Sequence, residues 1–294
     1  MIVDHIGNTP TVRLRRTEED YNLRSALYAK IESRNPSGSV KDRAARAMIR
    51  DAVNQGVLSV GDRIVEATSG NMGISLAQVS AAMGFSLTVV MPEGMSYQRS
   101  RIIAAYGAEL ILTPKEEGMA GAIRIAEQIA REQNAYMPSQ FTNRSNLISH
   151  YEGTGPEIYR NMGGRIDIFV CGIGTGGTMG GVGRYLKERM EDVMLVAVEP
   201  AESPILSGGA VGIHGIQGIG AGFIPPQLNI ELIDRVMTAS TERAIAMATE
   251  LARREGLFVG ISSGAALSGA IELAREMEGK NIVTIFPDGG ERYI

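Results

Sequence analysis

The chain has 294 residues, which is enough for two domains of ordinary size with well-buried cores. Its 44% hydrophobic and 21% charged residues argue against a disordered chain, and a net charge of −4 argues against a nucleic-acid-binding protein. No apolar run has the length of a membrane span, and residues 1–5 lack the basic and apolar regions of a secretory signal. The single cysteine, Cys171, excludes an intramolecular disulfide and favours the reducing cytoplasm.

Apolar, β-branched runs predict strands, and Ala-, Glu- and Arg-rich segments of helical length predict helices between them. The predicted strands are Ala26–Ile31, Arg63–Glu66, Ser86–Met91, Glu109–Leu112, Ile166–Cys171, Met194–Glu199 and Asn281–Phe286. The predicted helices are Asp42–Gln55, Gly73–Ala82, Tyr97–Tyr106, Gly118–Gln133, Gly177–Arg189, Thr241–Glu255 and Ala265–Glu278. Because strands that alternate with helices form parallel sheets covered on both faces, we predict an α/β fold. Its length suits two three-layer α/β/α domains with mostly parallel sheets.

The segment Asn35–Arg43 places a lysine, Lys41, where a turn leads into a predicted helix. The partial positive charge of a helix N-terminus disfavours an ammonium group there, and a neutral lysine amine is a nucleophile that forms Schiff bases. A solvated surface lysine is the other interpretation that this segment allows.

The segment Glu66–Gly73 joins a predicted strand to a predicted helix and contains Thr68, Ser69 and Asn71 beside two glycines. Backbone N–H groups at such a helix start bind anions, for example a carboxylate or a phosphate. A polar helix cap is the alternative, although a cap needs only one such residue.

A glycine-rich loop, Gly172–Thr178, follows one predicted strand and leads into a helix. Gly172, Gly174 and Gly177 fit the dinucleotide-binding fingerprint, with Glu199 at the end of the next strand as the ribose ligand. The extra glycine and two threonines offer more donors than a bridging pyrophosphate needs, which favours a terminal phosphate monoester.

The segment Gly260–Gly264 brings Ser262 to a third strand–helix junction, where the pattern fits a ligand site and a helix cap equally well. Gly215–Phe223 lies in the Gly/Pro-rich stretch Ser207–Pro226 and has almost no ionisable side chain, so it predicts a cavity wall.

The three histidines are scattered without the spacing of metal ligands, so we expect structural or surface roles for them and no metal site: His5, His150 and His214.

A lysine at a helix start, a phosphate site and a carboxylate site together match pyridoxal 5′-phosphate (PLP) and its amino-acid substrates. The motifs Asn-Pro-Ser-Gly-Ser-Val-Lys-Asp-Arg, Thr-Ser-Gly-Asn, Gly-Thr-Gly-Gly-Thr and Gly-Ile-Ser-Ser-Gly occur in this order. With them the chain resembles the cysteine synthase (O-acetylserine sulfhydrylase) family of fold-type II PLP enzymes, which includes relatives such as cystathionine β-synthase. The resemblance runs from Ile6 to Tyr293.

The resemblance implies a role for each matching residue. Lys41 would hold PLP as an imine and later move the Cα proton, Asn71 would bind the ring oxygen, and Ser262 would face the pyridine nitrogen. The phosphate would be held by Gly174, Thr175, Gly176, Gly177 and Thr178. Thr68, Ser69 and Gln140 would help bind the substrate carboxylate. The full set of substrate-binding residues would be Thr68, Ser69, Gly70, Met72 and Gln140.

The resemblance also implies a reaction, the formation of L-cysteine from O-acetyl-L-serine and sulfide through an α-aminoacrylate. Related alternatives use cysteine or serine and are cystathionine β-synthase-like, lanthionine-forming or hydrogen sulfide-releasing. An NAD-dependent oxidoreductase that uses Glu199 is a distant alternative. Met72 stands where the family has a carboxylate-binding threonine. This departure predicts weaker binding of O-acetylserine and competition by another donor, or no effect on the choice of substrate if the side chain points away and only its backbone matters.

The family organisation implies a smaller, mobile N-terminal domain of residues 35–145. The larger domain would comprise residues 1–34 plus 146–294 and carry the phosphate loop. The family also implies a homodimer, and the C-terminal tail of serine acetyltransferase as a partner. We expect neither nucleic acid nor membrane as a partner.

Overall fold

The computed structural model describes residues 1–94 and 97–294. Its strands are β1 (Thr11–Arg13), β2 (Ala26–Ile31), β3 (Arg63–Ala67), β4 (Ser86–Pro92), β5 (Glu109–Thr113), β6 (Ile168–Gly172), β7 (Met194–Pro200), β8 (Arg235–Ala239) and β9 (Asn281–Phe286). Its α-helices are α1 (Arg15–Asp20), α2 (Lys41–Asn54), α3 (Asn71–Met83), α4 (Tyr97–Ala105), α5 (Gly118–Glu132), α6 (Arg144–Ser149), α7 (Gly155–Asn161), α8 (Gly177–Lys187), α9 (Thr241–Arg254) and α10 (Ile261–Glu276). A π-helical turn, His150–Thr154, joins α6 to α7. Among the helices described, none is both long and apolar enough to cross a lipid bilayer.

The chain divides into two compact units. The first unit comprises Met1–Ile6 and Lys41–Asn146, and the second comprises Gly7–Val40 and Leu147–Ile294.

The first unit is built on a three-stranded parallel sheet in the order β3-β4-β5. Helix α5 packs on one face of this sheet through the small side chains of Ala122 and Ala126. Helices α2, α3 and α4 cover the other face, where Met48, Ile74 and Ile103 are fully buried. Each face therefore has its own apolar core.

The second unit is built on a six-stranded sheet in the order β1-β2-β9-β6-β7-β8. Strand β1 runs antiparallel to β2, and the other neighbours run parallel. Side chains of β6 alternate between two cores, because Ile168 and Val170 pack with α9 and α10 while Phe169 and Cys171 pack with α7 and α8. The predicted fold class, α/β with mostly parallel sheets, is confirmed.

The strands that the sequence pattern did not reveal lie at the edges of the larger sheet. Strand β1 has three residues, and β8 buries only Met237 and Ala239 among its five. An edge strand is half exposed and carries a weak apolar signal, so neither stood out from its flanking loops.

The N-terminal residues belong to the first unit for a local reason. Val3 and Ile6 are buried in its core, and their carbonyl oxygens each accept a hydrogen bond from Arg46 Nη1 at 3.0 Å. Residues 35–40 lie in the second unit, where the Val40 N–H donates to the Pro287 carbonyl at 2.8 Å. The mobility of the smaller domain stays a prediction.

A buried polar network organises the start of the second unit. Lys30 Nζ lies 2.7 Å from Glu157 Oε2 and donates to the Thr9 carbonyl at 2.6 Å. Thr9 Oγ1 in turn donates to Glu32 Oε1 at 2.6 Å, and Asn35 Nδ2 donates to Glu32 Oε2 at 2.8 Å. These bonds attach the segment that precedes Lys41 to strand β2.

Candidate active site

Lys41 is the first residue of α2, at the helix start that the sequence predicted. The next residue, Asp42, is fully buried, and its Oδ1 accepts a hydrogen bond from Ser75 Oγ of α3 at 2.6 Å. The N-terminal end of α2 is thereby attached to α3, the helix that follows the Thr68–Gly70 segment.

The Thr68–Asn71 segment lies between the end of β3 and the first turn of α3. Thr68 is buried, and its Oγ1 accepts a hydrogen bond from the Gly70 N–H at 3.3 Å. Gly70 is the extended N-cap of α3, and Ser69 and Asn71 are partly exposed. N–H groups and polar side chains at a helix start suit a small anion such as a carboxylate.

Met72 differs from its neighbours in this segment. Its side chain is 1% exposed and packs in the apolar core shared by α2, α3 and β4. Only the backbone of Met72 is therefore available to bind a carboxylate.

The backbone of Gln140 is hydrogen-bonded to a buried glutamate, Glu66, for which the sequence predicted no role. Glu66, near the end of β3, accepts hydrogen bonds from the N–H groups of Ser139 at 2.9 Å and Gln140 at 3.4 Å. The Gln140 carbonyl accepts a third bond from Asn146 Nδ2 at 2.9 Å. Burial raises the pKa of Glu66 to about 7, since it disfavours the ionised form more than the two N–H donors favour it.

The glycine-rich loop of the second unit is shaped to approach a ligand with its backbone. A side chain at Gly174 would overlap the Gly218 carbonyl oxygen, and Gly176 has a φ of +81°, which favours glycine. Gly177 then begins α8, so the loop directs N–H groups from the positive end of a helix. This geometry suits a phosphate group, and the role of the loop in binding one stays a prediction.

The two threonines of the loop differ in exposure. Thr175 is 7% exposed, its Oγ1 accepts from the Gly177 N–H at 3.5 Å, and its carbonyl accepts from Gln227 Nε2 at 2.9 Å. Thr178 is half-buried in the first turn of α8, and its hydroxyl lies 3.4 Å from His150 Nε2. A threonine hydroxyl can donate to a phosphate oxygen, so both side chains suit the donor set.

Ser262 lies in the first turn of α10 and is 4% exposed. The hydroxyl of its neighbour Ser263 is buried without a hydrogen-bond partner among the described residues. Small side chains fill this first turn, since a Cβ at Gly264 would overlap the Ala244 carbonyl oxygen. The place of the Ser262 hydroxyl opposite the ring nitrogen stays a prediction.

Glu199 does not have the free carboxylate that a ribose ligand requires. Its Oε2 accepts from the Leu206 N–H at 2.7 Å, and its Oε1 accepts from the N–H and Oγ of Ser207 at 3.0 and 2.6 Å. Both oxygens hold the loop that follows β7, which argues against the oxidoreductase alternative.

Cys171 is no nucleophile, because complete burial raises its pKa to about 12.

The predicted site residues fall into two groups. Those of the first unit are Lys41, Thr68, Ser69, Gly70, Asn71, Met72 and Gln140, and those of the second are Gly174, Thr175, Gly176, Gly177, Thr178 and Ser262. Glu66 was overlooked although a charge inside an apolar strand was a usable signal. Arg99 is 4% exposed, and its Nη1 lies 3.4 Å from the Ser69 carbonyl. It was also missed, because the sequence around it resembles a solvated helix face.

The family described as pyridoxal-phosphate dependent enzyme matches residues 2–288. The chain belongs to this family. A cysteine synthase of Staphylococcus aureus is 47% identical over 295 residues, which cover 100% of this chain and 94% of the relative.

Two solved structures give the same result for the fold. A cysteine synthase from Entamoeba histolytica superposes with a TM-score of 0.96 at 41% identity and covers 100% of this chain and 88% of its own. A hydrogen sulfide-producing enzyme from Fusobacterium nucleatum superposes with a TM-score of 0.95 at 38% identity, covering 100% and 99%. The predicted family, fold and PLP cofactor are confirmed.

Proposed function

We propose that the chain forms L-cysteine from O-acetyl-L-serine and sulfide by PLP-dependent β-replacement. The observation that carries the proposal is the geometry of Gly174–Thr178 at the start of α8, which suits a phosphate monoester, on a chain that also places Lys41 at a helix start. The 47% identity with a cysteine synthase over the whole chain supports this choice of reaction within the family.

The proposal assigns the following residues to the cofactor. Lys41 would hold PLP through Nζ, and the N–H groups and two hydroxyls of Gly174–Thr178 would bind its phosphate. Asn71, at the start of α3, would donate its side-chain amide to the ring oxygen. Ser262 would face the ring nitrogen.

When bound, PLP supplies an electron sink for the electron pair that remains when Cα loses its proton. The Lys41 amine would be the base that removes this proton. Thr68, Ser69 and Gln140 hold the substrate carboxylate, which fixes Cα near the lysine. Acetate leaves from Cβ, sulfide adds to the same carbon, and Lys41 returns the proton to Cα.

The hydroxyl of Ser262 suits this chemistry. A neutral hydroxyl does not stabilise a protonated ring nitrogen as a carboxylate would, so a long-lived carbanion at Cα is disfavoured. Prompt loss of a leaving group from Cβ is favoured over transamination.

Borohydride reduction and peptide mapping test the assignment of Lys41. We expect a yellow protein whose reduced pyridoxyl group maps to Lys41, and we expect Lys41→Ala to fold but lose turnover. Lys115→Ala, which changes an exposed lysine of the same unit, is the control and should keep full activity. Label on any other lysine contradicts the proposal.

A donor panel tests the substrate. O-acetylserine, O-phosphoserine, cysteine and serine are each assayed with sulfide or a thiol, and O-acetylserine with sulfide should give the highest kcat/KM. The similarity to a hydrogen sulfide-producing enzyme makes cysteine the second candidate, and release of hydrogen sulfide from cysteine alone at a higher kcat/KM would establish it instead.

We further propose a cytoplasmic homodimer that binds the C-terminal tail of serine acetyltransferase at the carboxylate loop. A single, fully buried cysteine supports a reducing compartment, since it leaves no exposed thiol. Sedimentation equilibrium tests the dimer, and inhibition by a tail peptide, competitive with O-acetylserine, tests the partner.

A further inference from the structure

The π-helical turn His150–Thr154 lies against the helix of the phosphate loop. A side chain at Gly181 of α8 would collide with His150 Cβ and the Tyr151 N–H, so this glycine permits the close approach. The turn is wider than an α-helical one, and such turns are rare and concentrate at functional sites. The turn and the glycine together bring one imidazole ring to the start of α8.

The His150 ring bridges two threonine hydroxyls. Its Nδ1 lies 2.9 Å from Thr154 Oγ1, and its Nε2 lies 3.4 Å from Thr178 Oγ1. His150 is 3% exposed and Thr154 is fully buried, whereas Thr178 is partly exposed. The three side chains thus form a chain of hydrogen bonds that ends at the phosphate loop.

The direction of this chain decides what Thr178 can do. In a neutral imidazole one nitrogen donates and the other accepts, and a hydroxyl donates one hydrogen. If Nε2 accepted, the Thr178 hydroxyl would donate its one hydrogen to His150 and could not donate a hydrogen bond to a phosphate. If Nε2–H donates, Thr178 keeps its hydrogen for an anionic acceptor, and Thr154 donates to Nδ1.

We infer that His150 is a positioning residue that donates from Nε2 to Thr178 and so makes the threonine hydroxyl a donor toward the cofactor phosphate. Thr154 selects this tautomer by donating to Nδ1. The inference rests on the proposed role of Gly174–Thr178, and it assigns a task to a histidine expected to be merely structural or at the surface.

Two substitutions of His150 separate its two contacts. In His150→Gln the side-chain amide lies near the Nε2 position and can still bond to Thr178. In His150→Asn the shorter side chain can contact only Thr154. We expect His150→Asn to raise the dissociation constant for PLP about threefold to tenfold, the size of one neutral hydrogen bond, and His150→Gln to stay within about twofold. Equilibrium dialysis of the apoproteins with PLP gives these values.

Phosphorus NMR gives a second readout that does not depend on turnover. We expect the resonance of the bound phosphate to shift in His150→Asn and to keep its wild-type position in His150→Gln. Equal losses of PLP affinity in both variants, together with equal falls in the unfolding midpoint of the apoproteins, would show a structural role only and overturn the inference.

The Thr178→Val background distinguishes this inference from the proposed function. If His150 acts through Thr178, adding His150→Asn to Thr178→Val causes no further loss of PLP affinity. An undiminished further loss overturns the inference while the phosphate role of Thr178 stands. If Thr178→Val itself retains PLP as wild type does, the proposed role of Thr178 fails, and the inference fails with it.

The wild-type protein provides a test that needs no variant. Nitrogen-15 NMR of labelled histidine should show His150 protonated at Nε2 and unprotonated at Nδ1 in the holoenzyme. A hydrogen on Nδ1 with a bare Nε2 contradicts the inference, whatever the variants do.

Discussion

A carboxylate in an apolar core is costly, and Glu66 shows how the first unit accommodates one. Its pKa rises to about 7 from an ordinary 4.5 because burial outweighs the help of the Ser139 and Gln140 N–H groups. The folded protein therefore holds this proton more tightly than the unfolded chain does. The contribution of Glu66 to the free energy of unfolding is fully present below about pH 4.5 and is lost as the pH rises through about 7.

We expect the free energy of unfolding to lose about 3 kcal/mol from this group between about pH 4.5 and pH 7. Glu66→Gln, which is neutral at every pH, removes this loss. Urea unfolding at a series of pH values from weakly acidic to weakly alkaline should therefore show wild type falling relative to the variant. Glu109→Gln, at an exposed position of β5, is the control. If the difference in the free energy of unfolding between wild type and Glu66→Gln does not change with pH, the raised pKa is contradicted.

Met72 makes a second prediction at the residue scale. Because its side chain is buried in the core, Met72→Ala should lower the free energy of unfolding by about 2–5 kcal/mol, and Met72→Leu by less than about 1.5 kcal/mol. Met72→Thr should be destabilising as well, yet leave the ranking of amino-acid donors by kcat/KM unchanged. A changed ranking would show that the side chain at position 72 contacts the substrate, as the replacement of the family's threonine by methionine first indicated.

Two serines of α3 provide a matched pair at the scale of the element. Ser75 Oγ donates to the buried Asp42 carboxylate at the start of α2, whereas Ser80 Oγ is buried without a hydrogen-bond partner among the described residues. Ser75→Ala removes a charge-assisted hydrogen bond and should lower the free energy of unfolding by about 1.5–3 kcal/mol. Ser80→Ala removes an unsatisfied hydroxyl and should be neutral or slightly stabilising. Equal effects in urea unfolding would show that the bond between α2 and α3 contributes nothing.

Elements with long apolar runs could be predicted from the sequence, because burial on both faces leaves a continuous pattern. Strands β2 and β9 have the predicted bounds, and the long helices agree within a few residues. Positions of the site motifs at strand ends and helix starts followed from the same pattern. The short helices α6 and α7 and the π-helical turn between them did not, since their form depends on close packing against α8.

The roles of single side chains were less predictable than their positions. Met72 and Glu199 lie in motifs, but their contacts are with the core and with a loop, and neither could be known before the chain was folded. His150 acquires its neighbours only through the close approach of Gly181. A sequence pattern records spacing along one element, whereas these contacts join distant ones.

At the scale of the whole molecule, the polar network of the second unit gives a further prediction. Lys30→Met removes the ammonium group that lies 2.7 Å from the buried Glu157 carboxylate, and we expect a loss of about 3–5 kcal/mol in the free energy of unfolding. Lys280→Met is the control, because Lys280 is partly exposed and lies 3.7 Å from Asp167, a pair that contributes about 1 kcal/mol or less. Similar unfolding midpoints for the two variants would show that the buried pair contributes no more than the exposed one.

The order of strands in the two sheets has a consequence for synthesis of the chain. Strands β3, β4 and β5 are consecutive, so the sheet of the first unit can pair as soon as Thr113 leaves the ribosome. The last strand, β9, lies inside the larger sheet between β2 and β6, and neither neighbour can complete its pairing before Phe286 has been added. The nascent chain therefore carries the open edge of β2 through most of translation, and the open edge of β6 from Gly172 until Phe286. These edges are where it is most exposed to aggregation and to chaperones.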